Sequence, residues 1–156
     1  MLKLRSLLKY WLPPLVWMGV IFGASSDAHS YEHSARLVEP LLRWLFPHLS
    51  EPHIHQIHEL LRKCAHLTVY AVLALLLWRA VRHPDKNHPR PWTWPEAGLA
   101  LALVFLYAAS DEFHQIFVPT RTAMVTDVFI DTAGGAAALL LLWLFGHWRK
   151  RRQEPP

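Results

Sequence analysis

The apolar residues of this chain collect in four blocks, Trp11 to Ala24, Cys64 to Val81, Ala97 to Ala109 and Val125 to Phe145, rather than recurring at a helical or strand period. A helix rising about 1.5 Å per residue needs about 20 residues to cross about 30 Å of hydrocarbon. The second and fourth blocks meet that length. The first and third meet it once Lys9 and Tyr10, and Ser110 and Asp111, count as interfacial turns of the same helices. The expected fold is therefore all-α, an integral membrane bundle of four transmembrane helices spanning about residues 9–25, 62–81, 95–112 and 124–146. Residues 1–148 form one domain on this reading, and 149–156 form a basic cytoplasmic tail.

Composition agrees, with 53% hydrophobic residues, 18% charged residues and eight tryptophans in 156 positions, a balance that suits a lipid-solvated bundle better than a soluble domain. The net charge of +4 does not point to nucleic acid, because the cations sit just beyond the apolar blocks, where membrane orientation places them. The partners it implies are membrane lipids with anionic headgroups. Cys64 is the single cysteine, which excludes an intrachain disulfide, a thiolate metal cage and a redox pair. Oligomeric state is not readable from the sequence.

Lys3, Arg5 and Lys9 precede the first block, Arg79, Arg82, Lys86 and Arg90 follow the second, and Arg149, Lys150, Arg151 and Arg152 follow the fourth. The positive-inside bias makes all three segments cytoplasmic. Four crossings with both termini in the cytoplasm of a bacterial inner membrane is the consistent topology. A cleaved signal peptide is the competitor, given the basic start and the small residues Gly23, Ala24, Ser25 and Ser26. Trp11 and Trp17 are heavy for such a segment, and Pro13 and Pro14 suit the first turn of a helix at the start of the apolar run, which favours a retained first span.

Between the first two spans, Leu37, Val38, Leu41, Leu42 and Leu45 share a face from which Arg36 and Arg43 are absent. This predicts an amphipathic helix bent near Pro40, either lying in the membrane interface or packed as a lid on the bundle. His48, Pro52 and His53 mark a turn after it, and His29, His33, His48, His53, His55 and His58 are expected to be solvated or interfacial. His83 to Pro95 carries four prolines and reads as a linker.

With that topology the unusual polar residues all fall at the outer face: Ser25, Ser26 and Asp27 after the first span, Arg62, Lys63 and His66 before the second, Asp111, Glu112, His114 and Gln115 ending the third, Arg121 after Pro119, and Asp127 and Asp131 entering the fourth. Arg62, His66 and Tyr70 recur every four residues, as do Asp127 with Asp131 and Asp111 with Gln115, so three helices can turn polar stripes toward one volume. Ionisable groups in a bilayer are costly and normally face a partner. Either they form a binding or catalytic site, or Arg62 and Arg121 neutralise the aspartates in a structural network. Arg62, Lys63 and Arg121 set against Asp27, Asp111, Glu112, Asp127 and Asp131 leave two negative charges. Protonated histidines, a metal ion or neutral carboxyls would balance that sum. His66, Glu112, His114, Asp127 and Asp131 are of metal-ligand type, but no H-E-x-x-H helix or cysteine pair specifies a metal, and no cofactor is required. Gly134 and Gly135, followed by Ala136 to Ala138, form a small-residue face for close helix packing.

Arg62-Lys63-Cys64-Ala65-His66 with Tyr70, Ser110-Asp111-Glu112-Phe113-His114-Gln115, Pro119 with Arg121, and Asp127, Asp131 and Gly134 follow one another in an order that resembles the VanZ-like family of bacterial membrane proteins. The resemblance runs from Ser25 to Gly135. It implies a multi-helix membrane protein of the cell envelope, the family's namesake being associated with low-level resistance to the glycopeptide teicoplanin. It also implies that Arg62, Lys63, His66, Asp111, Glu112, His114, Gln115, Arg121, Asp127 and Asp131 form the family site, to which the periodicity adds Tyr70.

Three functional readings follow. The first is a non-enzymatic protein binding a lipid-linked or cell-wall component, or a glycopeptide, in an outward polar cleft. The second is a membrane hydrolase or transferase in which His66 or His114 acts as general base beside Asp111 or Glu112. The third is a structural bundle whose charges only register the helices.

Overall fold

The computed structural model describes residues 2–26, 30–83, 91–118 and 123–153. Among these residues there are five helices and no strand: α1 (Leu2–Ser25), α2 (Ser30–Leu45), α3 (Glu51–Arg82), α4 (Trp94–Gln115) and α5 (Val125–Gln153). The all-α expectation holds, and the four apolar blocks fall on α1, α3, α4 and α5. Stretches within α1, α3 and α5, namely Leu7–Ser25, Glu51–Arg82 and Val125–Arg152, are long and apolar enough to cross a membrane. Asp27, His29, Lys86, Arg90, Pro119, Arg121 and the linker stretch 84–90 lie outside the described residues.

Side-chain pairings give the helix directions. Tyr70 meets Asp111 and Trp78 meets Trp92, so α3 and α4 run antiparallel. Glu112 meets Met124 and Trp94 meets Trp143, so α4 and α5 do too. Tyr10 meets His83 and Trp17 meets Val69, which sets α1 antiparallel to α3. α3 and α5 are the most extensively packed pair, and α4 lies against both. This alternation puts Ser25, His66, Asp111, Glu112 and Asp131 at one end of the bundle and Lys9, Arg79, Arg82 and a Trp78–Trp92–Trp94–Trp143 aromatic ladder at the other.

The core between these ends is built from Tyr70, Leu73, Ala74 and Leu77 of α3, Ala100, Val104 and Ala108 of α4, and Val128 and Leu139 of α5. Small residues decide how closely the helices approach, because in lipid the helices gain from contact rather than from leaving water. A Cβ at Gly134 would stand 2.4 Å from the Leu67 carbonyl oxygen. The glycine pair thus lets α5 lie backbone to backbone on α3, as its composition predicts.

Two local expectations are corrected. Pro13 and Pro14 do not start a helix: α1 begins at Leu2 and carries both prolines in its interior. The leucines, lysines and arginine of residues 2–12 are good helix formers and start the helix upstream, while the prolines only withhold amide donors from the carbonyls of Lys9 and Tyr10. Pro52 and His53 likewise belong to the first turn of α3, not to a turn before it, where proline gives up an amide the helix would not have used. α3 therefore has 32 residues and is about 48 Å long, well beyond the 62–81 stretch.

The extension of α3 pairs with α2, a single helix with Pro40 inside it. Leu42 of α2 and Ile54 of α3 are buried there, and Arg43 donates to Glu51, one of its contacts being 2.8 Å long, and to Glu39. Those carboxylates, chiefly through the Glu51 hydrogen bond, hold the Arg43 guanidinium above its usual pKa. His58 is not solvated as expected: α2 covers it completely, and its Nε2 lies 2.9 Å from Ser34 Oγ. His33, His48, His53 and His55 are exposed. Of the rest of the predicted apolar face of α2, Val38 is half-buried while Leu37, 78% exposed, Leu41 and Leu45 are open, as is Trp44 at 77%.

Candidate functional site

Asp111 is the centre of the polar end. It occupies the last full turn of α4, 3% exposed, and its Oδ2 accepts hydrogen bonds from three helices: Ser25 Oγ of α1 at 2.8 Å, Tyr70 Oη of α3 at 3.2 Å and Gln115 Nε2 of α4 itself at 3.3 Å. The predicted four-residue spacings of Asp111 with Gln115 and of His66 with Tyr70 thus converge on one volume. Asp111 Oδ1 is buried and has no hydrogen-bond partner.

Asp131, 1% exposed, faces the same region from α5. Neither of its oxygens has a hydrogen-bond partner, while Oδ1 stands 3.5 Å from His66 Nδ1 on α3, too long for a good hydrogen bond. Asp131 lies close enough to Asp111 and Asp127 to sense their charge, and Tyr70 senses both Asp111 and Asp131.

Glu112 is buried and spends one oxygen on a structural task. Its Oε2 accepts the Met124 amide at 2.9 Å, just ahead of α5. A carboxylate at a helix N-terminus satisfies an amide that lacks an intrahelical acceptor and faces the positive end of the dipole. Asp127 sits in the first turn of α5, half-buried, where its charge benefits from the same dipole.

His114 is at the rim. Its ring packs on Phe22 of α1 at 4.4 Å between centroids, and its Nε2 lies 3.1 Å from Ser26 Oγ. The Ser26 hydroxyl has one proton, and it is given to the Phe22 carbonyl at 2.7 Å, an oxygen that can only accept. The serine oxygen is then left to accept from His114 Nε2–H. A histidine donating to a serine is not deprotonating it, so this pair is not arranged as nucleophile and base.

Arg62, half-buried, brings Nη1 to 3.5 Å from Glu59 Oε1, one turn away on its own helix. Lys63 is exposed and shares a shallow surface groove with His55, Gln56, Glu59 and Leu60, which neither Asp111 nor Asp131 lines. Arg121 lies outside the described residues. Tyr70, His66, Asp111, Glu112, Gln115 and Asp131 thus come together with Ser25, which sequence reasoning took for a helix terminator. The signal for Ser25 was its position at the same end as Asp111; the pairing itself depends on how α1 is rotated, which a single sequence does not encode. Among the described residues no group of three or more His, Cys, Asp or Glu side chains is arranged to hold a metal ion.

A family model described as VanZ/LLP1 matches residues 10–146, which include every residue of this cluster. No curated protein and no solved structure matches the chain.

Proposed function

The chain belongs to the VanZ/LLP1 family, and from that premise we propose that it is a four-span protein of the bacterial inner membrane that binds a lipid-linked or cell-wall component in the polar cleft at the outer end of its bundle. The observation that carries this reading is the pair of buried carboxyls, Asp111 and Asp131, three of whose oxygens have no hydrogen-bond partner. Buried acceptors left unpaired cost stability, and a ligand that donates to them offsets that cost. A purely structural cluster would spend its acceptors within the protein.

The fourth span is α4. It has 22 residues, about 33 Å, and it lies antiparallel between two helices long enough to cross. A helix packed along the length of two spanning neighbours crosses with them. The positive-inside bias then sets Lys9, Arg79, Arg82 and the tail of α5 in the cytoplasm, with both termini, and the carboxyl cluster outside. α2 lies in the outer interface, with Leu37, Leu41, Trp44 and Phe46 toward lipid and Leu42 toward α3. Binding at the cleft would change envelope chemistry or antibiotic access, susceptibility to glycopeptides such as teicoplanin being the phenotype that the family resemblance implies.

The test is a thermal-shift measurement on purified protein with an envelope lipid extract. Wild type should be stabilised by the extract, and His114→Ala, which removes a rim side chain, should show a smaller shift measured from its own melting temperature without extract. Equal shifts for the two proteins, or none for wild type, overturn the reading.

A further inference from the structure

An apolar groove of about 300 Å³ opens between α1 and α4, lined by Trp11, Leu15, Met18, Leu103, Leu106 and Tyr107, with Leu77 of α3 as its floor. It ends at Ser110, whose side chain also lines it and whose neighbour in the chain is Asp111. The Tyr107 ring, a wall of the groove, stands 6.3 Å from the ring of Tyr70, which donates to Asp111. The end of the groove is therefore one residue in the chain from a buried carboxyl whose Oδ1 has no hydrogen-bond partner. Above the groove α1 is tied to α4 by Ser25–Asp111 and Ser26–His114, and beside it by the Tyr107 hydroxyl on the Met18 carbonyl at 2.5 Å. Below those ties the two helices touch little, which leaves room for an occupant from the bilayer.

We propose that the cleft and the groove together hold one amphiphile carrying a primary ammonium group, its acyl chain between α1 and α4 and its ammonium among Asp111 Oδ1, Asp131 Oδ1 and Asp131 Oδ2. This rests on the cleft reading above and names the chemistry of its ligand. None of these three oxygens has a hydrogen-bond partner, although Asp131 Oδ1 stands 3.5 Å from His66 Nδ1, and a primary ammonium carries three N–H donors and a positive charge. A phosphate or carboxylate headgroup would meet like charge at these oxygens. The bilayer supplies such an amphiphile as an aminophospholipid, and the groove makes that source the favoured one over a free amine, which would have no use for an apolar channel.

The experiment is native mass spectrometry of the full chain released from vesicles holding equal amounts of phosphatidylethanolamine, phosphatidylcholine and phosphatidylglycerol. Wild type should retain phosphatidylethanolamine over phosphatidylglycerol by about tenfold, and over phosphatidylcholine, whose methylated ammonium cannot donate. Asp131→Asn should erase the preference, and Leu106→Trp, which fills the groove, should reduce retention of every lipid. Should Asp131→Asn not fold, the three-lipid comparison on wild type decides alone. Equal retention of the three lipids by wild type, or an unchanged preference in Asp131→Asn, overturns the ammonium inference. If Leu106→Trp still loses lipid in that case, the cleft reading survives it. Retention that neither substitution alters sinks both.

Discussion

Ser25 and Asp111 lie 86 positions apart in the chain, yet the serine hydroxyl donates to the aspartate across 2.8 Å and fastens the end of α1 to the end of α4. The rest of the interface between these helices is thin, so this bond and its neighbour between Ser26 and His114 carry much of the attachment at the polar end. Removing the donor also leaves a buried carboxylate oxygen with two partners in place of three.

Ser25→Ala should therefore destabilise the protein by about 0.6 to 1.7 kcal/mol, the range of interhelical hydrogen bonds in membrane bundles. Thermal unfolding in detergent would read it. A change below that range in Ser25→Ala would mean that α1 is held by its apolar contacts alone. Ser25→Thr keeps the hydroxyl and should recover most of the loss.

Gly134 gives a sharper case, because what a side chain would meet there is backbone. A methyl group 2.4 Å from the Leu67 carbonyl oxygen cannot be relieved by a rotamer change, so α3 and α5 must separate. Gly134→Ala should cost about 1 to 3 kcal/mol or more. Gly135→Ala meets side chains rather than backbone, Ala74 and Val104 at 3.2 Å and Leu101 at 3.5 Å, and should cost less. Gly146→Ala meets nothing within 4 Å and should be neutral or slightly stabilising. Melting temperatures that do not follow the order Gly134, Gly135, Gly146 would refute the close α3–α5 approach.

These particular residues show how far the sequence is legible. Apolar blocks report which part of a helix meets lipid, so α1, α3, α4 and α5 were readable, but not where each helix ends. α3 starts eleven residues before the expected span because its extension, carrying Glu51, His53, His55 and His58, is not apolar and is paired with α2 instead. Period-four spacing placed Tyr70, Asp111, Gln115 and Asp131 toward the bundle interior, since it follows from helix geometry alone. The Ser25 hydroxyl, the Met124 amide on Glu112 and the cover over His58 depend on how separate helices are rotated and staggered against each other. A single sequence carries little of that information, and the same gap separates Lys63, legible as a site residue, from the exposed position it occupies.

Sidedness can be checked with cysteine chemistry, because Cys64 is the only native thiol. In a Cys64→Ser background, His53→Cys and Phe117→Cys should react with an impermeant maleimide on intact cells, and Arg151→Cys only after lysis. Phe117 is 69% exposed, just beyond the end of α4, so failure to label it would reflect sidedness and not burial. Labelling of 53 and 117 from opposite faces would remove the common end on which the candidate site depends.

The pairing of α2 with α3 sets a packing residue against an ion pair next to it in sequence. Arg43 is joined to Glu51 and Glu39 but is half exposed, and exposed ion pairs contribute at most about 1 kcal/mol. Leu42 is buried at 7% exposure, and truncating a buried leucine costs about 2 to 5 kcal/mol. Leu42→Ala should therefore release α2 where Arg43→Ala does not. Hydrogen–deuterium exchange reads this directly: amides of residues 30–45 should lose protection in Leu42→Ala and keep most of it in Arg43→Ala. The reverse order would mean that charge, not apolar contact, holds α2 over His58. That matters for the membrane as well, since an α2 held by Leu42 keeps Leu37, Leu41 and Trp44 turned outward as a fixed apolar ridge, whereas one held by charge would be free to roll.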